Sequence, residues 1–379
     1  MKFIFFISLG IILYTYMGYL LILLLINRFK PERKVLKDEN YTPSVSLIIS
    51  AHNEEKVIRR KLEESLNLDY PKDKLEIIVA SDASSDNTDR IVKEFSSKGV
   101  ILVRQNQRRG KTSVQNLAVK KAKGEILVFS DATTIFRKDA IRKLVRNFKD
   151  PHVGCVAGEE RFLKKDKGIF EEVSFFWRYE QILRENESRF NSLIGVSGCI
   201  FAIRKSLYEE LDESLIEDFA LPLKVILHKF RVVYEKEAVG YEEPAKDLKA
   251  EILRKARIIC GGINVLFKMR NLLNPFKYPL VAFQLFSHKI LRWSSSVFMC
   301  MLFFSNMFLL KTSKLFLLLG ILQIVFYSLI VVGYFLGKRF NLPKIFRIIS
   351  HFFLVNMASI IGIFKFLKGE RNTLWEPIR

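Results

Sequence analysis

Residues Phe3 to Ile26 contain no charged side chain, and three more uncharged runs, Trp293 to Leu310, Leu315 to Leu336 and Ile348 to Phe364, lie near the C-terminus. The first run is long enough to cross a hydrocarbon core and longer than the apolar segment of a signal peptide; no small-residue cleavage site follows it. It reads as an uncleaved transmembrane anchor over 1–27. A chain with apolar ends must fold its more polar middle as a separate unit. The 33 Phe residues, concentrated at the two ends, fit that division.

Charge gives the orientation. Arg28, Lys30, Arg33, Lys34 and Lys37 follow the first run directly, diluted by Glu32 and Asp38, and place a basic linker over 28–42 on the cytoplasmic side. The link containing Lys338, Arg339, Lys344 and Arg347 has the same sense. Three segments over 293–367 leave the tail, 368–379, in question. Four full spans carry its Lys368, Arg371 and Arg379 outside; a re-entrant last run, which His351 and Asn356 suit, keeps them inside. Both arrangements stay open. The net charge of +21 fits anionic lipid beside such segments, and no aromatic-and-basic module points to nucleic acid. Over 246–292, Lys249, Arg254, Lys255, Arg257, Lys268 and Arg270 alternate with Leu, Ile and Val at helical spacing, the pattern of amphipathic interfacial helices. The cysteines Cys155, Cys199, Cys260 and Cys300 form no CxxC pair; they are expected to be reduced and buried.

The middle, 43–245, begins with short apolar runs separated by helical stretches. Strands are expected over Val45–Ser50, Leu75–Ser81, Val100–Arg104 and Ile126–Ser130, with helices from about Asn53, Asp86, Lys111 and Lys138. That alternation predicts an α/β domain with a mostly parallel, Rossmann-like sheet, whose ligands bind beyond the carboxyl ends of the strands. Asp82 and Asp131 each stand just past such an end. Singly, each could be only a turn former or a cap; together they aim two acids at one crevice. Gly110-Lys111-Thr112 is not a P-loop, because Gln105 stands where its first glycine is needed. A lysine at a helix start in this crevice still suits a diphosphate.

The order of these segments resembles membrane-bound family 2 glycosyltransferases of the cellulose-synthase-like group. The run from Pro43 through Ala51-His52-Asn53-Glu54-Glu55 and the segment from Ser81-Asp82 are similar to that family's opening. Phe129-Ser130-Asp131-Ala132-Thr133 resembles its DxD region, the stretch from Gly198 to Arg204 its acceptor-side segment, and Ile216-Glu217-Asp218 its TED-type motif. The resemblance implies a GT-A catalytic domain flanked by transmembrane helices, acting as an inverting glycosyltransferase. By position, it implies that Ala51, Asn53, Glu54, Asp82 and Lys111 bind the nucleotide-sugar, probably uridine-linked, and that Asp131, with Thr133, holds Mg2+ or Mn2+. It further implies Asp218 as catalytic base, with Gly198, Glu217 and Arg254 on the acceptor side.

Two departures qualify this. Thr133 replaces the second DxD aspartate, and Glu251-Ile-Leu-Arg254-Lys255 lacks the Gln and Trp of the QxxRW motif that holds a growing polymer. Ser287-His288-Lys289-Ile-Leu-Arg292-Trp293 is either an acceptor-side or a membrane-edge element. The expected partners are a nucleotide-sugar donor, a glycan or lipid-linked acceptor, membrane lipid and polysaccharide-assembly proteins; the expected place is the plasma membrane with a cytoplasmic domain. Other readings are a polyprenyl-phosphate monosaccharide transferase and a catalytically weak nucleotide-sugar-binding scaffold.

Overall fold

A computed structural model describes residues 1–30, 33–162, 169–243, 248–336 and 344–370. Lys338, Arg339, Arg371 and Arg379, on which part of the charge reading rests, lie outside the described residues, as does Glu32.

The sheet is built on the four expected strands, β1 (Val45–Ala51), β2 (Leu75–Asp82), β3 (Val100–Gln105) and β4 (Ile126–Asp131), all parallel. Alternate residues feed two cores, as the two-residue period of a strand requires. Leu47, Ile49, Ile77, Val79 and Val128 face one side. Ile48, Ile78, Ala80, Leu127 and Phe129 face the other. On the first side lie α2 (Ile58–Leu66), α3 (Thr88–Glu94) and α5 (Ala140–Val145), counting the N-terminal helix Lys2–Phe29 as α1; α4 (Lys111–Lys121) packs on the second. The helix expected from Asn53 starts later, at Ile58. Asn53 takes a positive φ of 53° and leads a turn, which a helix cannot continue through.

The all-parallel pattern stops at β4. The full order is β3-β2-β1-β4-β7-β6-β8-β5, with β5 (Ile135–Phe136), β6 (Val153–Phe162), β7 (Ile200–Arg204) and β8 (Arg231–Glu242). β7 runs antiparallel to both β4 and β6, so the sheet is mixed. That reversal brings the chain just before β7 beside the carboxyl end of β4, with Ser130 opposite Ile200.

The remaining helices are α6 (Ile169–Phe190), α7 (Glu217–Leu227), α8 (Leu248–Lys268), α9 (Pro279–Gln284), α10 (Leu291–Leu309), α11 (Lys314–Leu336) and α12 (Lys344–Leu367). Among the described residues, one helix, α1, is long and apolar enough to cross a membrane; shorter apolar stretches occupy Lys314–Ile330 and Val355–Leu367. Three tyrosines tie α1 to the rest. Tyr14 Oη lies 2.8 Å from Ser287 Oγ, Tyr16 donates to Asn356 Oδ1 at 2.8 Å, and Tyr19 donates to buried Glu187 at 2.7 Å. Cys155, Cys199 and Cys260 are buried free thiols, as expected; Cys300 is exposed, because its position on α10 faces outward.

The linker after α1 is fastened to the sheet domain by charge. Buried Glu235 on β8 receives Lys37 at 2.8 Å, Arg146 at 3.0 Å and Asn147 at 3.1 Å. Burial alone pushes the Glu235 carboxyl up; Lys37 and then Arg146 outweigh it and hold it below the ordinary glutamate range. The cluster's contribution is therefore present above the ordinary glutamate pKa and is lost as pH falls through the lowered folded value. Glu235→Gln leaves Arg146 without its buried carboxylate, its other acids Glu39 and Glu237 being exposed, and is expected to cost about 3 kcal/mol. Thermal unfolding of both forms between neutral and acid pH checks this: the gap between them closes in acid, and a gap independent of pH contradicts it.

Candidate active site

The first three strands end in loops held in uncommon backbone conformations. Asn53 after β1 and Ala83 after β2 have φ of 53° and 50°, and Gly110 before α4 has φ of 97°. A residue with a side chain pays for such a φ, so these loops are held from outside. Asn53 Oδ1 accepts the Ser85 N–H at 2.8 Å, and His52 Nδ1 lies 2.6 Å from the Asp82 carbonyl. Asp82 is fully buried and anchors the next loop. Its carboxylate accepts the backbone N–H of Arg109 at 2.9 Å and of Gly110 at 3.0 Å, and the Gln105 side-chain amide. Ala51 and Glu54 are buried beside it, and the Glu54 N–H donates to Thr88 at 2.7 Å.

This anchoring delivers Lys111, the first residue of α4, into a crevice. Its ammonium lies 2.7 Å from Asp131 at the end of β4 and 2.8 Å from Glu217 at the start of α7. Burial works against the Lys111 charge, but Asp131 and then Glu217 outweigh it and raise its pKa above the ordinary lysine value. Gly198 belongs to the same cluster. A Cβ there would lie 3.2 Å from the Lys111 ammonium and 3.4 Å from carboxylate oxygens of both Glu217 and Asp218.

Asp218 lies in the first turn of α7, where the helix dipole favours a carboxylate. Its backbone is held by a substitution of partners. The carbonyl of Asp218 would ordinarily accept from the residue four positions on; that residue is Pro222, which has no N–H, and Val196 N donates instead at 2.9 Å. Burial, and then the Glu217 charge, push the Asp218 carboxyl up to about 7, against the pull of Lys111 and Lys289.

Behind Asp131 stand two acids that the sequence reading missed. Glu160 on β6 and Glu242 on β8 lie with Cys199 so that their ligand atoms are within 4.8 Å of one another. Burial, then Glu160 and Asp131, push the Glu242 carboxyl up to about 8. Burial and the same two glutamates push the Cys199 thiol up, so it stays protonated. Crowded oxygen donors beside a neutral thiol suit a hard divalent ion. Thr133 is exposed on the turn after Asp131 and does not line the crevice. Its neighbour Thr134 is buried and donates to Glu242 at 2.6 Å. Lys61, also missed, is buried under this turn. It donates to Ser130 Oγ at 2.7 Å and to the Thr134 carbonyl, and so fixes the direction of Asp131.

The crevice has a volume of about 310 Å³ and is closed by α8 and the start of α10, with Arg254, Arg257, Gly262, Lys289 and Trp293 on its wall. Arg254 is bound to Glu251 through two nitrogens, at 3.0 and 3.1 Å. The structure thus brings Lys111, Asp131, Gly198, Glu217, Asp218 and Arg254 around one cavity. Ala51, Asn53, Glu54 and Asp82 form a neighbouring group at the ends of β1 and β2. A larger, more open groove of about 860 Å³ lies between the 105–109 loop and residues 210–213. It holds no comparable convergence of acids on one lysine.

A sheet with parallel strands feeding an acidic crest, extended by antiparallel strands and capped by helices, defines the GT-A glycosyltransferase fold. Residues 46–212 match the model described as Glycosyl transferase family 2. The chain is 32% identical over 260 residues to a probable glycosyltransferase, YdaM, of Bacillus subtilis (strain 168), the match covering 64% of this chain and 61% of that one. It is 26% identical over 251 residues to a poly-beta-1,6-N-acetyl-D-glucosamine synthase of Staphylococcus epidermidis, covering 63% and 60%. The chain thus spans about three fifths of the length of these curated relatives. Its fold matches the mannosyltransferase PcManGT of Pyrobaculum calidifontis, solved with GDP-Man and Mn2+, with a TM-score of 0.74 over 97% of this chain and 99% of that one, at 21% identity.

Asp82 accepts three N–H donors, and Asp82→Asn turns one acceptor into a donor facing them. A loss of about 2 kcal/mol in stability and faster amide exchange at Arg109 and Gly110 are expected. Unchanged exchange at those two amides would show that another group anchors the loop.

Proposed function

We propose that this protein is an inverting, metal-dependent glycosyltransferase that moves a sugar from a nucleotide-sugar to a hydroxyl acceptor at the cytoplasmic face of a membrane. The observation that carries the reading is the convergence of Lys111, Asp131, Glu217 and Asp218 at the carboxyl end of β4. Apolar α1, followed by the basic linker, supports the membrane placement, with the further apolar runs as C-terminal spans. The family match, and relatives named for glycan synthesis, support cell-surface polysaccharide or glycolipid assembly as the setting.

The roles follow from geometry and charge. The loops of Ala51, Asn53, Glu54 and Asp82 form the nucleoside side, with uridine as the leading base. Asp131 would hold the ion, with Glu160 and Glu242 close enough to add charge; Thr133, exposed, would contribute at most through substrate. Mg2+ or Mn2+ held there would supply positive charge against the departing diphosphate. Lys111 offsets the same charge from the protein's side. Asp218 accepts the acceptor's hydroxyl proton as that oxygen attacks the anomeric carbon, and Glu217 and Gly198 shape the acceptor side. A carboxyl raised to about 7 is well matched to that task.

Release of nucleoside diphosphate from a panel of UDP- and GDP-sugars, by the full chain in lipid with Mn2+, Mg2+ or chelator, tests the reading. Asp218→Asn is expected to lose about 100-fold or more in rate, the scale of general-base catalysis, while keeping nucleotide affinity. Wild-type turnover in that variant contradicts the assignment of the base.

The base must be ionised to work, so the rate should fall as pH drops through about 7. A cation on Asp131 favours the ionised form of Asp218, and raising Mn2+ should shift this limb to lower pH. A pH–rate profile flat from 5 to 7, an interval over which the rate should otherwise rise by up to about tenfold per unit, contradicts it.

A further inference from the structure

An ammonium has three N–H donors, and that of Lys111 meets three oxygens. Asp131 Oδ1 lies 2.7 Å away, Glu217 Oε1 2.8 Å and the Gly198 carbonyl 3.4 Å. Two carboxylates and a carbonyl are also the donor set that a hard divalent ion takes. Lys111 thus fills, with a charge tethered to α4, a place that suits such an ion. The surroundings keep it there. Gly198 permits the approach, since a Cβ on it would lie 3.2 Å from the ammonium. The side chains of Lys111 and Glu217 are only 16% and 8% exposed, so little water screens their bond. Asp131, at 35%, is the open member of the group. Among the described residues it has no second ion pair: Lys61, buried beneath, bonds to Ser130 and the Thr134 carbonyl instead.

Asp131 therefore faces two claims. A divalent ion on this carboxylate and an ammonium 2.7 Å from it repel each other, and each weakens the other's hold. A nucleoside diphosphate changes the balance, because it brings anionic oxygens enough for both cations. Lys111 can reach them without moving its helix. It is the first residue of α4, where the leading amides and the dipole favour an anion, and its four-carbon stem is flexible.

We propose that Lys111 is a tethered competitor of the metal: its ammonium occupies Asp131 and Glu217 until a nucleoside diphosphate draws it away and so opens Asp131 to the ion. This rests on the reading of Asp131 as the metal carboxylate and adds a control to that site. No covalent bond changes and no proton moves; the ammonium trades carboxylate oxygens for phosphate oxygens. A divalent ion alone is then poorly held, and donor and ion enter together. The acids Asp131, Glu217 and Asp218 are at no stage left without a cation among them. By linkage, the nucleotide must gain from the ion as much as the ion gains from the nucleotide.

The test is Mn2+ binding to the full chain in zwitterionic nanodiscs, first alone and then with UDP or GDP, for the wild type and three variants of Lys111. Without nucleotide, Lys111→Met and Lys111→Gln should each bind Mn2+ about tenfold or more tighter than the wild type, a usual size for coupling between two ligands. Glutamine still offers a donor to both carboxylates, so its result decides the matter if the methionine form folds poorly. Lys111→Arg keeps the charge and should stay within about threefold of the wild type. Added nucleotide should tighten Mn2+ binding more in the wild type than in either neutral variant, since only there does it remove a competitor. Nucleotide-free Mn2+ affinity that is unchanged or weaker in both neutral variants overturns the proposal, because ion and ammonium then have separate places. An arginine form that binds as tightly as the neutral ones overturns it too. Neither result touches the transferase reading if the wild type binds UDP or GDP with Mn2+. Neutral variants that gain Mn2+ affinity while no form binds nucleotide uphold the competitor and sink the donor site. If no form binds Mn2+ under any condition, both fall.

Discussion

Lys111 sits between Asp131 and Glu217, and that ion triad determines most of what surrounds it. Three elements meet there: the end of β4, the start of α4 and the start of α7. Asp218 is the next residue after Glu217, so the same contact also sets the carboxyl that stands above the ordinary range. Without a cation in this place, Asp131, Glu217 and Asp218 would repel one another in a partly buried cavity. The position of Lys111 is in turn inherited from further back. Gly110 supplies the left-handed turn, Asp82 grips the amides before it, and the parallel pairing of β1 with β2 and β4 brings the ends carrying Asp82 and Asp131 to one level.

The apolar helices are part of this construction. Trp293 packs against Gly262 of α8, where the absence of a side chain allows the approach, and Gly362 of α12 meets the Ala256 carbonyl in the same way. The wall of the crevice is therefore supplied by the segment that runs into α10, and α1 is tied to that segment by Tyr14 and to α6 by Tyr19. Buried polar pairs of this kind are expensive to break once formed. α1 and the crevice consequently share a polar seam, with His288, Glu187 and Arg292 along it.

Much of this was legible in the residues, and what was hidden has physical causes. β1 to β4 were plain because strands covered on both faces are runs of Val, Ile and Leu. Lys111, Asp131, Gly198, Glu217 and Asp218 were found through the order of their motifs, and the structure puts them within one cavity. The antiparallel strands were obscure, since β5 has two residues and β7 lies between loops without a turn signal. Lys61 follows Arg59 and Arg60, and three bases in a row look solvated; only the helical period turns the third one inward. Glu160 and Glu242 each adjoin another glutamate, so neither stood out. Thr133 was read from a motif position, yet the turn after β4 points it outward and buries Thr134 instead. Lys289 lay in a segment already noted, but which of its bases faces the crevice depends on the helical turn just before α10.

The most direct test of the account is Mn2+ binding, followed by electron paramagnetic resonance, to the full chain with and without nucleoside diphosphate, beside Asp131→Asn. If Asp131 holds a metal that the diphosphate completes, the wild type binds Mn2+ more tightly when nucleotide is present, and the variant loses that gain. Mn2+ binding that ignores nucleotide, or that survives unchanged in Asp131→Asn, would contradict the assignment of this crevice to nucleotide-sugar transfer.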